Sequence, residues 1–410
     1  MTLAPRLPLR TLAAAMLFTT AAYAHAQSKG PVTQFWMDVA TNSMSIPGMD
    51  DMPDGAMGGM AGMMGGMFGA TKMPGGAPGK WLDEALYTRS KPAGTEGSHA
   101  IPPTLNMGPS LPLIPVTAIR TSGGHSESGE YEKPKGRLLF YWGCSETVRT
   151  GQPRIVDFSK SNPEDFAKFM TGRWVADRGA KNSPGRAVWP NERDNKRVPK
   201  ESSLQGDHAV TGEGVPVALR FAIGAAQDFI PPAKLSTAGD PKGSITVAWS
   251  SVDNAQAYFL NAMGSGGEGG TDMIIWSSSE PPEPGWGLMD YLPPAKIKQF
   301  LGEKVILPTS TQRCAIPQGI FASAQGAMVR MIAYGPELNL SHPPKPAKAD
   351  ANWSPEWAVR VRVKSTGMAM LGMDEEHGGR SSRGSRGGRD GEGGESGGNP
   401  LNLLKGIFGR

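Results

Sequence analysis

The chain has 410 residues, of which 38% are hydrophobic and 20% charged, and its formal net charge is +4. This length allows about two ordinary domains plus tails, while 55 Gly and 36 Pro are too many for a helical protein and favour short strands joined by turns. The modest net charge indicates neither a nucleic-acid partner nor an anionic membrane surface.

The first 26 residues have the pattern of a bacterial signal peptide. Arg6 and Arg10 give a basic start, and residues 12–22 form an uncharged, largely apolar run. Residues 24–26, Ala-His-Ala, then offer the small residues that a signal peptidase accepts. We therefore expect a mature chain that begins at Gln27 and is periplasmic or secreted. No later stretch reaches the roughly 20 apolar residues that span a bilayer, so we expect no transmembrane segment in it.

Composition divides the mature chain into a central part and two biased flanks. We expect a Gly/Met/Pro-rich low-complexity segment over 27–98 and a disordered Gly/Arg/Ser-rich tail over 368–400, because such compositions cannot bury a core. A short apolar segment, 401–410, ends the chain. The central part, which holds most strand-like patterns, is predicted to form two lobes, 99–238 and 239–367.

Two segments of the central part share Pro-Lys-Gly and a Trp at the same spacing. They are residues 134–142 and 241–249. In each, a turn precedes a predicted strand whose alternate apolar residues share one face and end in Trp142 or Trp249. We expect both Trp side chains to be largely buried on equivalent strands.

The second of these segments continues through a turn to Tyr258. Residues 243–261 resemble the first two core strands of fibronectin type III modules, which pair an inward Trp with a Tyr on the next strand. A weaker echo at 134–158 lacks the Tyr. The resemblance implies a fold and not a function. The predicted fold is mainly β, with two tandem β-sandwich lobes of the fibronectin III or immunoglobulin type, disordered flanks and a few short helices, one of them within residues 293–301.

The chain has two cysteines, Cys144 and Cys314. In an oxidising compartment they can pair as a disulfide. The alternative is two buried free thiols, since the sequence alone does not place their Cβ atoms within reach. Two cysteines without a nearby His cannot form a zinc site.

A methionine-rich run is the candidate cofactor site, and the cofactor would be copper. Thioethers are soft ligands suited to Cu(I), and the periplasm is a compartment in which copper is handled. The run contains no His or Cys and is rich in glycine, so ordering it around a metal is costly. A flexible linker is the alternative interpretation. The candidate ligands are Met49, Met52, Met57, Met60, Met63, Met64 and Met67.

Ten Trp residues make an aromatic binding surface a second candidate site. A flat indole covers the face of a pyranose ring at low entropy cost, and exported sandwich domains use such rings to bind sugars. The alternative is that the rings fill sandwich ends and loops. The candidates beside Ser/Pro/Gly segments are Trp276, Trp286, Trp353 and Trp357.

Patterns that indicate catalysis are weak. Asp207-His208 is an adjacent polar pair and Ser278 lies among three serines, but no nucleophile-elbow or zinc-protease motif occurs. We therefore assign no catalytic residue. The prediction is an exported, non-enzymatic envelope protein that binds a partner protein or a cell-envelope polymer, and export excludes nucleic acid. The alternatives are a periplasmic Cu(I)-binding protein and a hydrolase at the lobe interface.

Overall fold

The computed structural model describes residues 30–45, 70–72, 77–117, 136–162, 164, 169, 171–324, 326–348 and 353–372. The predicted signal peptide, the methionine-rich run and the segments after residue 372 lie outside the described residues. A nine-residue helix, α1, runs from Pro294 to Gly302 and confirms the predicted helix, with a proline in its first turn and Ile297 and Phe300 buried.

The remaining regular structure in the described residues is almost entirely β. The strands are β1 (Thr33–Ser45), β2 (Gly79–Thr88), β3 (Gly97–Ala100), β4 (Ser110–Pro115), β5 (Arg137–Trp142), β6 (Arg154–Asp157), β7 (Ala187–Trp189), β8 (Gly206–Gly212), β9 (Arg220–Ile223), β10 (Leu235–Ala238), β11 (Ile245–Trp249), β12 (Ala257–Gly266), β13 (Asp272–Ser277), β14 (Arg313–Ile316), β15 (Gly326–His342) and β16 (Trp357–Met370). Short 3-10 turns cover Ala70–Lys72, Pro103–Leu105, Ala225–Gln227 and Glu268–Gly270. The predicted mainly-β class is confirmed.

Thirteen strands form one mixed sheet in the order β6-β5-β13-β12-β15-β16-β1-β2-β7-β4-β3-β8-β9, and β10-β11-β14 form a second, three-stranded sheet. β1 pairs in parallel with β16 along its whole length, and antiparallel with β2 on its other side. The other parallel pair is β5 with β13. The first strand of the described chain is therefore at the centre of the large sheet.

This topology differs from the predicted organisation in two respects. β1 and β2 lie within residues 27–98, where composition predicted low complexity, because their apolar inward residues are interleaved with polar ones that lowered the apparent hydrophobicity. The large sheet also crosses the predicted lobe boundary at residue 238, since β5 pairs with β13. The two tandem fibronectin-like lobes are not confirmed.

The three-stranded sheet covers one face of the large sheet, here called the inner face. Successive side chains of a strand point to opposite faces, and Phe35, Met37 and Val39 of β1 fall on the inner face of the sheet. They share a single buried cluster with Val247 and Trp249 of the small sheet. The ring of Trp249 meets Tyr258 edge to face at 5.7 Å. The strand–turn–strand unit that resembles fibronectin modules thus joins the two sheets.

The opposite, outer face of the large sheet is covered by α1 and by connecting segments. Ile297 and Phe300 of α1 pack with Phe259 of β12 and with Ile332 and Tyr334 of β15. Beside this apolar cluster the outer face carries charged side chains from β1 and β16. The 171–180 segment and Arg330, both described below, lie on this face.

Burial of the two repeated Trp residues agrees in part with expectation. Trp249 is 5% exposed. Trp142 is half-buried, and the guanidinium of Arg154 lies 5.4 Å from its ring centroid. The two residues end strands of different sheets, because β5 belongs to the large sheet and β11 to the small one.

Candidate functional site

The four Trp residues predicted as a binding surface do not form one. Trp276 is fully buried and donates its indole N–H to the Gly143 carbonyl at 3.1 Å. Trp357 is also buried, stacked on His342, while Trp286 and Trp353 are half-buried. The structure therefore places two of the predicted rings in the core, where neither ring face can contact a ligand.

The most exposed Trp among the described residues is one that the sequence did not single out. Trp174 is 69% exposed. It lies in the 171–180 segment, which crosses the outer face beside α1. Its neighbours in sequence point the other way: Val175 packs against the α1 cluster, and Arg173 bonds Glu283 and Glu303.

The backbone beneath Trp174 is closely packed. A Cβ atom added at Gly287 would lie 2.2 Å from the Arg173 carbonyl oxygen and 2.9 Å from the Trp174 Cα. Only glycine permits so close an approach of two main chains. The backbone of the exposed indole is therefore fixed by ion pairs on one side and by a tight contact on the other.

A buried ion-pair network anchors the C-terminal half of the same segment. Asp38 and Arg362 are register partners on β1 and β16, and two hydrogen bonds of 2.7 and 2.6 Å join their side chains. Arg362 also bonds Asp177 at 3.1 Å, and Lys72 bonds Asp177 at 2.9 Å. The Ala180 N–H donates to Asp38, so the segment itself closes the network.

The charged forms of Asp177 and Arg362 are favoured by their neighbours in this network. Burial raises the pKa of Asp177, but Lys72, the Gly179 N–H and the charge of Arg362 together lower that pKa to about 2. Burial likewise opposes the charged form of Arg362, and Asp38 overcomes it, so that the pKa of the guanidinium lies above its ordinary value. The network therefore has a structural role, because its charged groups are paired with one another within the protein.

A second buried polar cluster lies on the inner face and joins three strands. Glu84 of β2 bonds His99 Nδ1 of β3 at 2.8 Å, and His99 Nε2 bonds His208 Nδ1 of β8 at 3.0 Å. His208 Nε2 bonds the Leu204 carbonyl oxygen at 2.7 Å. Glu84, His99 and His208 are 1%, 0% and 2% exposed, so no substrate can reach them without a change in the fold.

The direction of each hydrogen bond in this cluster follows from the number of protons available on its nitrogen and oxygen atoms. The Leu204 oxygen can only accept, so His208 Nε2 carries a proton and, in a neutral ring, Nδ1 accepts from His99 Nε2–H. One proton must then lie between His99 Nδ1 and Glu84. Burial, and next the neighbouring His99, lower the pKa of His208 to about 4, which keeps its ring neutral at pH 7. The array resembles an acid–base relay but ends on a backbone carbonyl.

The residues that prompted the hydrolase alternative are not brought together. Asp207 is exposed, whereas the adjacent His208 is buried in the cluster just described. Ser278 is fully buried, and its hydroxyl oxygen accepts a hydrogen bond from the Leu260 N–H at 2.9 Å. The hydroxyl of Ser278 is thus engaged within the core.

Cys144 and Cys314 are joined by a disulfide whose Cα atoms are 5.0 Å apart. It links the loop after β5 to β14 and so connects the two sheets. The seven candidate copper ligands, Met49 to Met67, lie outside the described residues. Within the described ranges, no three His, Cys, Asp or Glu side chains are grouped so that they could hold a metal ion.

No protein-family model matches this chain, and neither does any curated protein sequence or solved structure. Of the helices in the described part of the chain, none has the length and apolar character needed to cross a bilayer.

Proposed function

We propose that this is an exported, non-enzymatic envelope protein, periplasmic or secreted, that binds a cell-envelope polymer or a partner protein through the surface around Trp174. The observation that carries the proposal is the 69% exposure of Trp174 on a backbone fixed from below. A large aromatic ring left in water is costly for folding and valuable for binding, and Trp is the residue most enriched at binding hot spots.

The packing beneath Trp174 favours binding because the backbone around the indole is already ordered before a partner binds. Arg173 is held at 3.1 Å by Glu283 and at 2.7 Å by Glu303, which fixes the residue just before the indole. When the backbone is already ordered, a partner restricts mainly the rotamers of one side chain, and this lowers the entropic cost of association.

The distribution of exposed apolar residues favours a polymer over a large protein partner. The exposed large hydrophobic side chains among the described residues are Val148, Ile155, Trp174, Val217 and Met273, which belong to separate loops and strands. Protein interfaces are typically built around a contiguous apolar centre. A single rigid indole suits stacking on the face of a sugar ring.

Two further observations support the compartment and the absence of catalysis. A disulfide between residues 170 apart is expected in an oxidising compartment and rare in a reducing one. The relay-like cluster of Glu84, His99 and His208 is sealed from solvent.

The proposal is tested by co-sedimentation with insoluble cell-wall polymer and, in a second arm, by capture from an envelope extract. Trp174→Ala should weaken binding by at least about tenfold in one arm. Val217→Ala, at a position 86% exposed, is the matched control and should bind as the wild type does. Equal binding by Trp174→Ala and wild type in both arms would contradict the proposal.

Copper binding is a second candidate function. Met44 of β1 lies opposite Met368 of β16, at the end of β1 from which the chain enters the methionine-rich run, so further thioethers lie beside its start. Deleting residues 55–69 should abolish Cu(I) binding without changing the melting temperature of the core. Cu(I) titration against a competing chelator measures the binding, and equal affinity of intact and deleted protein would rule this function out.

A further inference from the structure

Arg330 of β15 is an unpaired charge on the outer face. The residue is half-buried, and among the described residues its guanidinium has no hydrogen-bond or ion-pair partner. Burial alone lowers the pKa of this guanidinium to about 10, with no contribution from any carboxylate. Arg330 is therefore charged at pH 7 in surroundings that do not compensate the charge.

Other arginines of the outer face and its margins are compensated. Arg362 bonds Asp38, Arg173 bonds Glu283 and Glu303, Arg137 bonds Asp272, and Arg360 bonds the Asn339 side chain and the Arg178 carbonyl. Removing a cation from water without an acceptor costs several kcal/mol in general. An unpaired arginine of this kind lowers the stability of the fold unless a bound anion neutralises its charge.

Methionine side chains lie on one side of Arg330 in the sheet. Its register partners are Asn261 on β12 and Met368 on β16. Two residues before it on the same face is Met328, which lies opposite Met263 on β12 and Met370 on β16. Directly opposite and diagonal positions of a sheet are within reach of long side chains. On one side Arg330 is thus flanked by these four methionines, of which Met263 is half-buried and the other three are buried. On its other side lie Ile332 and the register partners of Ile332, Phe259 and Thr366.

We propose that Arg330 and the methionines beside it form a binding site for a small aliphatic monocarboxylate. The planar guanidinium offers two parallel donors that match a carboxylate. Methionine side chains are flexible and polarizable, so they adapt to an aliphatic chain of irregular shape.

The test uses the full chain with octanoate as the probe. Acetate, which has the carboxylate alone, and 1-octanol, which has the chain alone, are the matched probes. Calorimetric titration should show saturable octanoate binding, with acetate and 1-octanol each weaker by about tenfold or more. Arg330→Met should reduce octanoate affinity by roughly tenfold to hundredfold, as expected for a charge-assisted hydrogen bond.

A second readout separates a ligand site from a merely structural arginine. Without octanoate, Arg330→Met should melt at a higher temperature than the wild type, because it removes an uncompensated charge. A structural arginine would give a lower melting temperature. Arg330→Lys keeps the positive charge but loses the two parallel N–H donors of the guanidinium. It should fold as the wild type does and bind octanoate about tenfold more weakly.

Two control variants isolate the site. Arg137→Gln removes a paired arginine and should leave octanoate affinity unchanged. Trp174→Ala should also leave it unchanged, so the inference can fail or succeed independently of the proposed function. Octanoate that does not bind saturably to wild type, equal affinity in Arg330→Met, or acetate binding as tightly as octanoate would each overturn the inference.

Discussion

Replacing Arg362 by Met should strongly destabilise the protein. The substitution keeps an unbranched apolar stem and removes both hydrogen bonds to Asp38, which is fully buried. Asp38 would then retain the Ala180 N–H at 3.1 Å and Lys72 at 3.5 Å. These contacts reduce the penalty but do not replace a bidentate guanidinium.

The expected loss follows from the burial of both partners. Arg362 is 4% exposed and Asp38 fully buried, so breaking the pair leaves a carboxylate in a dry site. Such a loss typically costs about 3–5 kcal/mol. In the double variant Asp38→Asn with Arg362→Met no carboxylate is left at position 38. It should therefore cost less than the sum of the two single changes, with a coupling free energy of about 2 kcal/mol.

Urea denaturation at pH 7 measures the four free energies of unfolding in this cycle. Arg360→Met is the matched control on the same strand and face. Arg360 is half-buried, bonds Asn339 and a backbone carbonyl, and lies 3.5 Å from Glu337. Because Glu337 would keep Arg178 and the Asn339 amide, the loss of Arg360 should cost about 1–2 kcal/mol, less than that of Arg362. A cost below about 1 kcal/mol for Arg362→Met, or additivity of the two single changes, would refute the account of the network.

Three further predictions concern the core, pH and the disulfide. Trp249→Ala, at a site 5% exposed, should cost about 3–5 kcal/mol in urea denaturation, and a negligible cost would contradict its role in joining the sheets. The pKa of His208 falls from 6.5 to about 4 on folding, so its contribution to stability is complete above pH 6.5 and is lost as the pH falls towards 4. That contribution is about 3 kcal/mol, and a comparison of His208→Gln with wild type at pH 7 and 4 should show a smaller loss in the variant. Cys144→Ser with Cys314→Ser removes a link across 170 residues and should cost about 5 kcal/mol in the chain-entropy model, and an unchanged urea midpoint would contradict that estimate.

The features that the sequence predicted are those encoded by local patterns. Alternating apolar residues placed β5 and β11 correctly, and the two prolines before Ala295 placed the start of α1. The turn between Trp249 and Tyr258 sets two strands at the junction of the sheets, which a strand–turn–strand pattern can indicate. These signals depend on residues that are close in the chain.

The remaining features depend on pairing between distant residues. Asp38 and Arg362 meet because β1 and β16 are parallel neighbours, although 324 residues separate them. Glu84, His99 and His208 are far apart in the sequence and become neighbours only because β2, β3 and β8 hold them side by side. Trp174 lies in a segment without regular secondary structure, so its exposure depends on Gly287 and Glu283 packing beneath it. No local period of the sequence contains this information.

Site-specific photo-crosslinking in intact cells tests the proposed binding surface most directly. A photoreactive amino acid placed at position 174 should yield a discrete adduct with an envelope component. The same probe at position 217, which is 86% exposed at the turn between β8 and β9, should not yield this adduct. Absence of any adduct from position 174, or the same adduct from both positions, would contradict a binding role for Trp174.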